Sequence, residues 1–139
     1  MPYPTFDRSR LRIKPLAERQ HDLTLADILP LDAPPPPIED KAIPLIGRRL
    51  FAARQSNAAR ILLMGAHVLR AGVQPHLIDM MERGLITHIG MNGAGPIHDW
   101  EFALIGASTE SVARYVSSGE FGLWQGTGRM NDAIRAGAR

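Results

Sequence analysis

Apolar positions in the first half of the chain form short runs that are separated by turn-forming residues. A helix is predicted from Pro44, which suits a first helical turn, to about Gln55. Its apolar side consists of Ile46, Leu50 and Ala53, which recur at three- and four-residue spacing. This segment is therefore predicted to be an amphipathic helix with its arginines towards solvent.

A strand, a helix and a second strand are predicted next. Residues 61–64, Ile-Leu-Leu-Met, form a continuous apolar run typical of a strand covered on both faces of a parallel sheet. A helix with an apolar stripe follows Pro75 and ends near Gly84, and residues 85–91 predict the second strand. This order and spacing predict a right-handed βαβ crossover, whose ligand sites lie beyond the carboxyl ends of the strands.

The C-terminal part of the sequence is predicted to be helical. Helices are expected over residues 98–105, from a Ser108 N-cap to Gly119, and over about residues 128–136. No further strand is predicted, and two strands are fewer than a doubly wound sheet normally contains. The fold class expected is therefore α/β, with a Rossmann-like core whose parallel sheet is incomplete.

The N-terminal part differs from the rest because it contains four consecutive prolines, Pro34–Pro37. Such a run lacks amide donors and favours an extended polyproline II conformation. A weak helical pattern over residues 22–31 precedes it, and the residues before that are predicted to be irregular. We expect residues 1–37 to form a Pro-rich arm and residues 38–139 to form a partial Rossmann-like cofactor-binding domain.

Composition narrows the classes of protein that the chain can represent. Its 139 residues, of which 45% are hydrophobic, suffice for one modest core, and no stretch is long and apolar enough for a bilayer span. It has no cysteine, so disulfides and thiolate metal sites are excluded, and a cytoplasmic location is the expectation. A membrane is therefore not an expected partner, and nucleic acid is not expected either, because the formal charge of +2 is spread along the chain.

Two loops carry the candidate chemistry, because each follows a predicted strand. The second loop contains Asn92, Gly93 and Gly95 and precedes a helix. Because glycine has no side chain, the backbone amides of this loop could approach a pyrophosphate. The first contains Gly65, Ala66 and His67. The glycines therefore fit a dinucleotide site, or alternatively a tight turn between strand and helix.

Polar side chains beside these loops suggest a binding crevice. His98, Asp99 and Glu101 follow the second loop, and His67 follows the neighbouring strand. The spacing matches no metal-binding motif, so no metal is expected. An alternative is that His98 and Asp99 cap a helix N-terminus. No nucleophile motif is present, and the catalytic residues remain unknown.

At these loops the chain resembles the deoxyhypusine synthase family, in particular its bacterial deoxyhypusine-synthase-like branch. In that family one strand runs into Thr-Ser-Asn-Leu-Ile-Ser-Ser-Gly-Val and the next ends in Thr-Thr-Ala-Gly-Gly-Val-Glu-Glu-Asp. Here residues 65–73 read Gly-Ala-His-Val-Leu-Arg-Ala-Gly-Val, and residues 91–99 read Met-Asn-Gly-Ala-Gly-Pro-Ile-His-Asp. The similarity covers roughly residues 45–110, with Gly72, Gly95 and Asp99 in common.

The resemblance implies an NAD-dependent enzyme that transfers an aminobutyl group from a spermidine-type amine. It implies contacts to NAD from one set of residues: Gly65, Ala66, His67, Asn92, Gly93 and Gly95. It places His98, Asp99 and Glu101 near the amine substrate, although the family's paired glutamates correspond to Ile97 and His98 here. Homo-oligomers are expected too, because the family forms tetramers.

The family's catalytic lysine lies in a region beyond the point where this sequence stops. We therefore expect the chain to be a truncated or non-autonomous part of such a transferase. Two alternatives remain open at this point: a non-catalytic oligomeric scaffold module, and a different NAD-dependent enzyme that acts on amines or amino acids.

Overall fold

The computed structural model describes residues 3–138 and shows a mixed α/β chain. Its strands are β1 (His21–Thr24), β2 (Ile61–Met64), β3 (His88–Met91) and β4 (Ala107–Glu110). Its helices are α1 (Ala42–Gln55), α2 (Ala66–Arg70), α3 (Gln74–Glu82), α4 (Ala94–Ile105), α5 (Val112–Ser117), α6 (Gln125–Gly128) and α7 (Met130–Gly137). Short 3-10 helices occupy Arg8–Arg10, Leu16–Glu18 and Leu25–Asp27.

Two compact units make up this chain. One unit spans Leu25–Asp99, and the other combines the residues up to Thr24 with those from Trp100 onward. The Pro34–Pro37 run lies within the first of these units, in a stretch without regular secondary structure. An arm that ends at residue 37 remains a prediction.

The Leu25–Asp99 unit contains the predicted strand-helix-strand element. Strands β2 and β3 pair in parallel, with Ile61 opposite His88 and Met64 opposite Met91. The predicted strand over residues 61–64 is confirmed, whereas the second strand is shorter than predicted and begins at His88. The central helix is confirmed as α3, and Gly84 just after it has a positive φ of 65°, which glycine adopts without strain.

The helix predicted from Pro44 is confirmed as α1, with its start two residues earlier than predicted. Its connection to β2 is held by Arg60, a buried side chain whose Nη1 donates a hydrogen bond of 3.1 Å to the carbonyl oxygen of Ala53. A second bond of 2.8 Å joins the Ala58 amide to that same carbonyl oxygen. The carbonyls at the end of α1 are therefore partly capped by the chain that leads into β2.

The other unit corrects two predictions. Residues 107–110 form strand β4 and pair antiparallel with β1, so Ser108 is not a helix N-cap, and the expectation of no further strand is wrong. Ala-Ser-Thr-Glu carries no apolar alternation that would have indicated a strand. The helix expected after Ser108 begins instead at Val112 and, as predicted, ends before Gly119, whose φ is 71°.

The core of this second unit joins residues from both ends of the chain. Leu16, Tyr115 and Trp124 form a buried cluster in which the Tyr115 and Trp124 rings meet edge to face, with centroids 5.0 Å apart. Lys14 forms an isolated parallel bridge with Trp124. Trp124 is thus a core residue, whereas Phe121 is exposed.

Among residues 3–138, no helix has both the length and the apolar character that a bilayer span requires.

Candidate ligand-binding site

A cavity of about 310 Å³ lies at the carboxyl ends of the parallel strands in the Leu25–Asp99 unit. Met64 and Met91, the last residues of β2 and β3, form part of its wall. The other lining residues come from the helices and from β3: Leu69, Gln74, Leu77, Ile78, Met81, Ile89, Pro96 and Asp99. Ligands in α/β folds bind at this end of a parallel sheet, and the volume suits a small molecule.

The alternation of side chains along the strands explains why this cavity is apolar. In β3, Ile89 and Met91 share one face of the sheet, and in β2 Met64 lies on that same face opposite Met91. Helix α3 supplies Leu77, Ile78 and Met81, whose three- and four-residue spacing keeps them on one side of the helix. The wall is therefore built from flexible thioether and branched aliphatic groups that can surround a hydrocarbon chain.

Asp99 is the one ionisable side chain among the residues that line the cavity. It lies in the second turn of α4, and it is exposed, so its carboxylate is hydrated. A carboxylate at the rim of an apolar cavity can bind the cationic end of a ligand whose hydrocarbon part enters the cavity.

The two predicted glycine loops adjoin this cavity in sequence, and two of their glycines have open space around them. A Cβ atom added to Gly65 or to Gly93 would meet no atom within 4 Å. A Cβ atom on Gly95, in contrast, would lie 2.4 Å from the Met91 sulfur. Gly95 is therefore required for packing, whereas Gly65 and Gly93 leave the backbone accessible to a ligand.

The polar residues of the two loops face different surroundings. Asn92 and His67 are exposed, whereas Ala66 is buried and offers no side chain to a ligand. His98 lies in α4 and is half-buried. Since α4 begins at Ala94, neither His98 nor Asp99 is an N-cap, and that alternative is wrong.

Glu101 lies in the other unit and does not join the cavity. The residue is 1% exposed, and its carboxylate forms a bidentate pair with Arg19, with bonds of 2.9 Å from Nη1 and 2.6 Å from Nη2. Ser108 Oγ and Thr127 Oγ1 donate two further bonds, of 2.9 Å and 2.6 Å. These four hydrogen bonds hold the carboxylate inside the protein. The side chain of Glu101, which was predicted to lie near the substrate, therefore makes contacts that stabilise the fold.

Electrostatics favours the ionised form of Glu101 despite its burial. Burial by itself would raise the pKa of this carboxyl, but the bonds from Arg19, Thr127 and Ser108 and the positive charge of Arg19 together lower the pKa below its ordinary value. The guanidinium carbon of Arg19 also lies 5.8 Å from the centroid of the Trp124 ring. A cation in this position is attracted by the face of the aromatic ring.

His21 belongs to the same polar cluster. Its Nδ1 accepts a bond of 3.3 Å from Arg19 Nε, which requires an unprotonated nitrogen. Burial, and after it the nearby Arg19 charge, lowers the pKa of His21 below its ordinary value. Sequence reasoning missed this cluster because Arg19 and Glu101 are separated by 82 positions and share no local pattern.

No protein-family model, curated protein or solved structure matches this chain. The resemblance to deoxyhypusine synthase remains a prediction from the sequence. In the structure Gly65 follows β2 directly, but Ala66–Arg70 form helix α2, so the prediction of a loop there is wrong. Asn92 and Gly93 do form a short loop between β3 and α4.

Proposed function

We propose that the chain is the cofactor- and amine-binding part of an NAD-dependent transferase similar to deoxyhypusine synthase. The aminobutyl group of a spermidine-type amine is the group that such an enzyme transfers. The observation that carries the proposal is the apolar cavity at the carboxyl ends of β2 and β3, with Asp99 as its only ionisable lining residue.

The amine half of this proposal rests on the chemistry of the cavity. A four-carbon chain fits against the Met64, Met81 and Met91 side chains, and its ammonium group would reach the Asp99 carboxylate at the rim. A hydrogen bond to a charged group contributes about 1.5–3 kcal/mol, so the loss of the Asp99 charge would weaken amine binding roughly 10- to 100-fold.

The residues present also fit the cofactor. Open space around Gly65 and Gly93 lets a dinucleotide contact the backbone. Asn92, next to Gly93, and His67, in the first turn of α2, are exposed polar groups close to these glycines in sequence. Helix α4 begins directly after Gly93, and a helix N-terminus favours a phosphate. NAD would supply hydride-accepting chemistry when bound, while this chain's own residues would bind and orient the two ligands.

Calorimetric titration of the full chain with NAD tests the cofactor half. Gly93→Val is the decisive variant, because the open space at Gly93 accepts the added side chain while the side chain obstructs the ligand. Gly95→Val is not suitable, since it would collide with Met91 in the free protein. We expect saturable binding that Gly93→Val abolishes, with an unchanged circular dichroism spectrum.

A second titration with n-butylamine, which has one ammonium group and a hydrocarbon end that can enter the cavity, tests the amine half by comparing Asp99→Asn with the wild type. Binding of neither compound to a folded wild-type chain would refute the proposed function. If NAD binds but Asp99→Asn leaves amine affinity unchanged, the cavity is not the amine site.

A further inference from the structure

The short loop between β3 and α4 places an asparagine directly before a glycine on the surface of the protein. Asn92 and Gly93 are both exposed, and a Cβ atom added to Gly93 would meet no atom within 4 Å. The side-chain amide of an asparagine can react with the backbone nitrogen of the next residue. A glycine at that next position has no side chain to hinder the approach of the two groups. Sequence and exposure at this loop therefore favour such a reaction.

The chain has two other asparagines, and the structure disfavours the same reaction at both. The amide that follows Asn57 belongs to Ala58 and donates a hydrogen bond of 2.8 Å to the Ala53 carbonyl oxygen. The amide that follows Asn131 belongs to Asp132 and donates a bond of 3.0 Å to the carbonyl oxygen of the residue before α7. Each of these nitrogens is held by an acceptor and adjoins a side chain, so neither is well placed to attack.

The backbone nitrogen of Gly93 has a different environment. Among residues 3–138 it donates no hydrogen bond, and the Asn92 side chain has no hydrogen-bond partner there either. The hydrogen bond of this turn joins the Gly95 amide to the Asn92 carbonyl oxygen at 3.1 Å, and it does not involve the Gly93 nitrogen. Both reacting groups are therefore exposed and uncommitted at this one of the three asparagines.

We infer that Asn92 is a site of spontaneous deamidation. The Gly93 nitrogen, after loss of its proton, attacks the Asn92 Cγ atom. The new C–N bond closes a cyclic imide, the Cγ–Nδ2 bond breaks, and ammonia leaves with the proton that the nitrogen lost. Water then opens the imide, at the side-chain carbonyl to give aspartate or at the main-chain carbonyl to give isoaspartate. The reaction needs water alone and involves no oxidation or reduction.

Both products add a negative charge to the loop directly before α4. This consequence rests on the proposed function, in which the same loop contacts the phosphates of NAD. A carboxylate at Asn92 would repel these phosphates, so the deamidated chain should bind NAD roughly tenfold more weakly. The deamidation itself does not depend on NAD, and the two claims can be tested separately.

Incubation of the full chain without NAD at mildly alkaline pH, followed by tryptic digestion and mass spectrometry, tests the inference. Trypsin separates the three asparagines into different peptides, because arginines lie between them. We expect Asn92 to convert at least about tenfold faster than Asn57 or Asn131. Gly93→Val should suppress the conversion, because a β-branched side chain hinders the attack. The variant is compatible with the fold, since Gly93 has open space and no positive φ.

Ala58→Gly is the matched control, because it creates a second asparagine-glycine pair at Asn57 while the following amide keeps its bond to Ala53. We expect Asn57 to remain slow in this variant. If Asn57 converts there as fast as Asn92, the argument from hydrogen bonding is overturned.

A peptide of residues 88–98 provides the reference for an unconstrained chain. If Asn92 converts in this peptide but stays intact in the folded chain, the inference is overturned, because the fold then keeps the reacting atoms apart. NAD titration of fresh and deamidated chains follows, and equal affinities would overturn the predicted effect on the cofactor. A fresh chain that does not bind NAD would contradict the proposed function without affecting the measured conversion of Asn92.

Discussion

Replacement of Arg19 by methionine should destabilise the unit that contains β1 and β4 far more than any surface change. The Arg19 and Glu101 side chains are 3% and 2% exposed, so removal of the guanidinium would leave a carboxylate buried with only the Ser108 and Thr127 hydroxyls as partners. The loss of one member of a buried pair costs about 3–5 kcal/mol. Since whole domains are stable by about 5–15 kcal/mol, this loss would remove a large share of the free energy of unfolding.

Urea unfolding followed by tryptophan fluorescence measures this effect directly. The chain has two tryptophans, Trp100 and Trp124, and both belong to the unit that holds the pair. Lys14→Met is the matched control, because Lys14 pairs with Glu120 near the surface of the same unit and such exposed pairs contribute less than about 1 kcal/mol.

A double variant separates the charge from the packing. Arg19→Met combined with Glu101→Gln removes both charges, and the neutral amide still accepts a hydrogen bond from a neighbouring hydroxyl. We expect it to recover much of the stability that Arg19→Met loses. A loss below about 1 kcal/mol for Arg19→Met, or a double variant less stable than the single one, would refute the argument that an unpaired buried carboxylate dominates the cost.

Three further predictions concern stability. The pKa of His21 is lowered in the folded chain, so the unfolded chain takes up the proton first as the pH falls below about 6.5. The free energy of unfolding should therefore decrease from pH 7 to pH 5, and His21→Gln should reduce this pH dependence in urea titrations. Thr109 has a φ of 64°, which glycine adopts more easily than other residues, and its hydroxyl is buried without a partner among the described residues. Thr109→Gly should therefore be more stable than Thr109→Ala by about 1 kcal/mol. Equal melting temperatures of the two variants would contradict backbone strain. A Cβ atom on Gly72 would lie 2.2 Å from the Asp27 carbonyl oxygen, so Gly72→Ala should lower the melting temperature more than Gly84→Ala, which shares the positive φ without the collision.

Local sequence patterns predicted those helices and strands that are determined by residues close together in the chain. The run at residues 61–64 is apolar without interruption, and Pro75 and Gly84 mark the ends of α3, so β2 and α3 appear where the sequence places them. Strand β4 was missed because its sequence has no strand pattern. Its Ser108 side chain is instead fixed by a hydrogen bond to Glu101 and its backbone by pairing with β1, neither of which is visible in a local window.

The residues of the candidate site were likewise predicted only in part. Asp99 was predicted at the carboxyl end of the strands and lines the cavity there. Glu101 was grouped with it, yet two positions along a helix correspond to a turn of about 200°, so the two carboxylates project to opposite sides. The helical period alone separates these residues, whereas the partner of Glu101, Arg19, could not be found from the sequence.

The pairing of β1 with β4 has a consequence for synthesis on the ribosome. His21 pairs with Glu110, so the first strand emerges long before its partner exists. At translation rates of about 5–20 residues per second, β1 waits on the order of 4–18 s, and most of this interval is taken up by synthesis of the Leu25–Asp99 segment. A nascent chain that stalls before Glu110 therefore exposes an unpaired strand edge together with Leu16, and chaperones that recognise such segments would act on it during this interval.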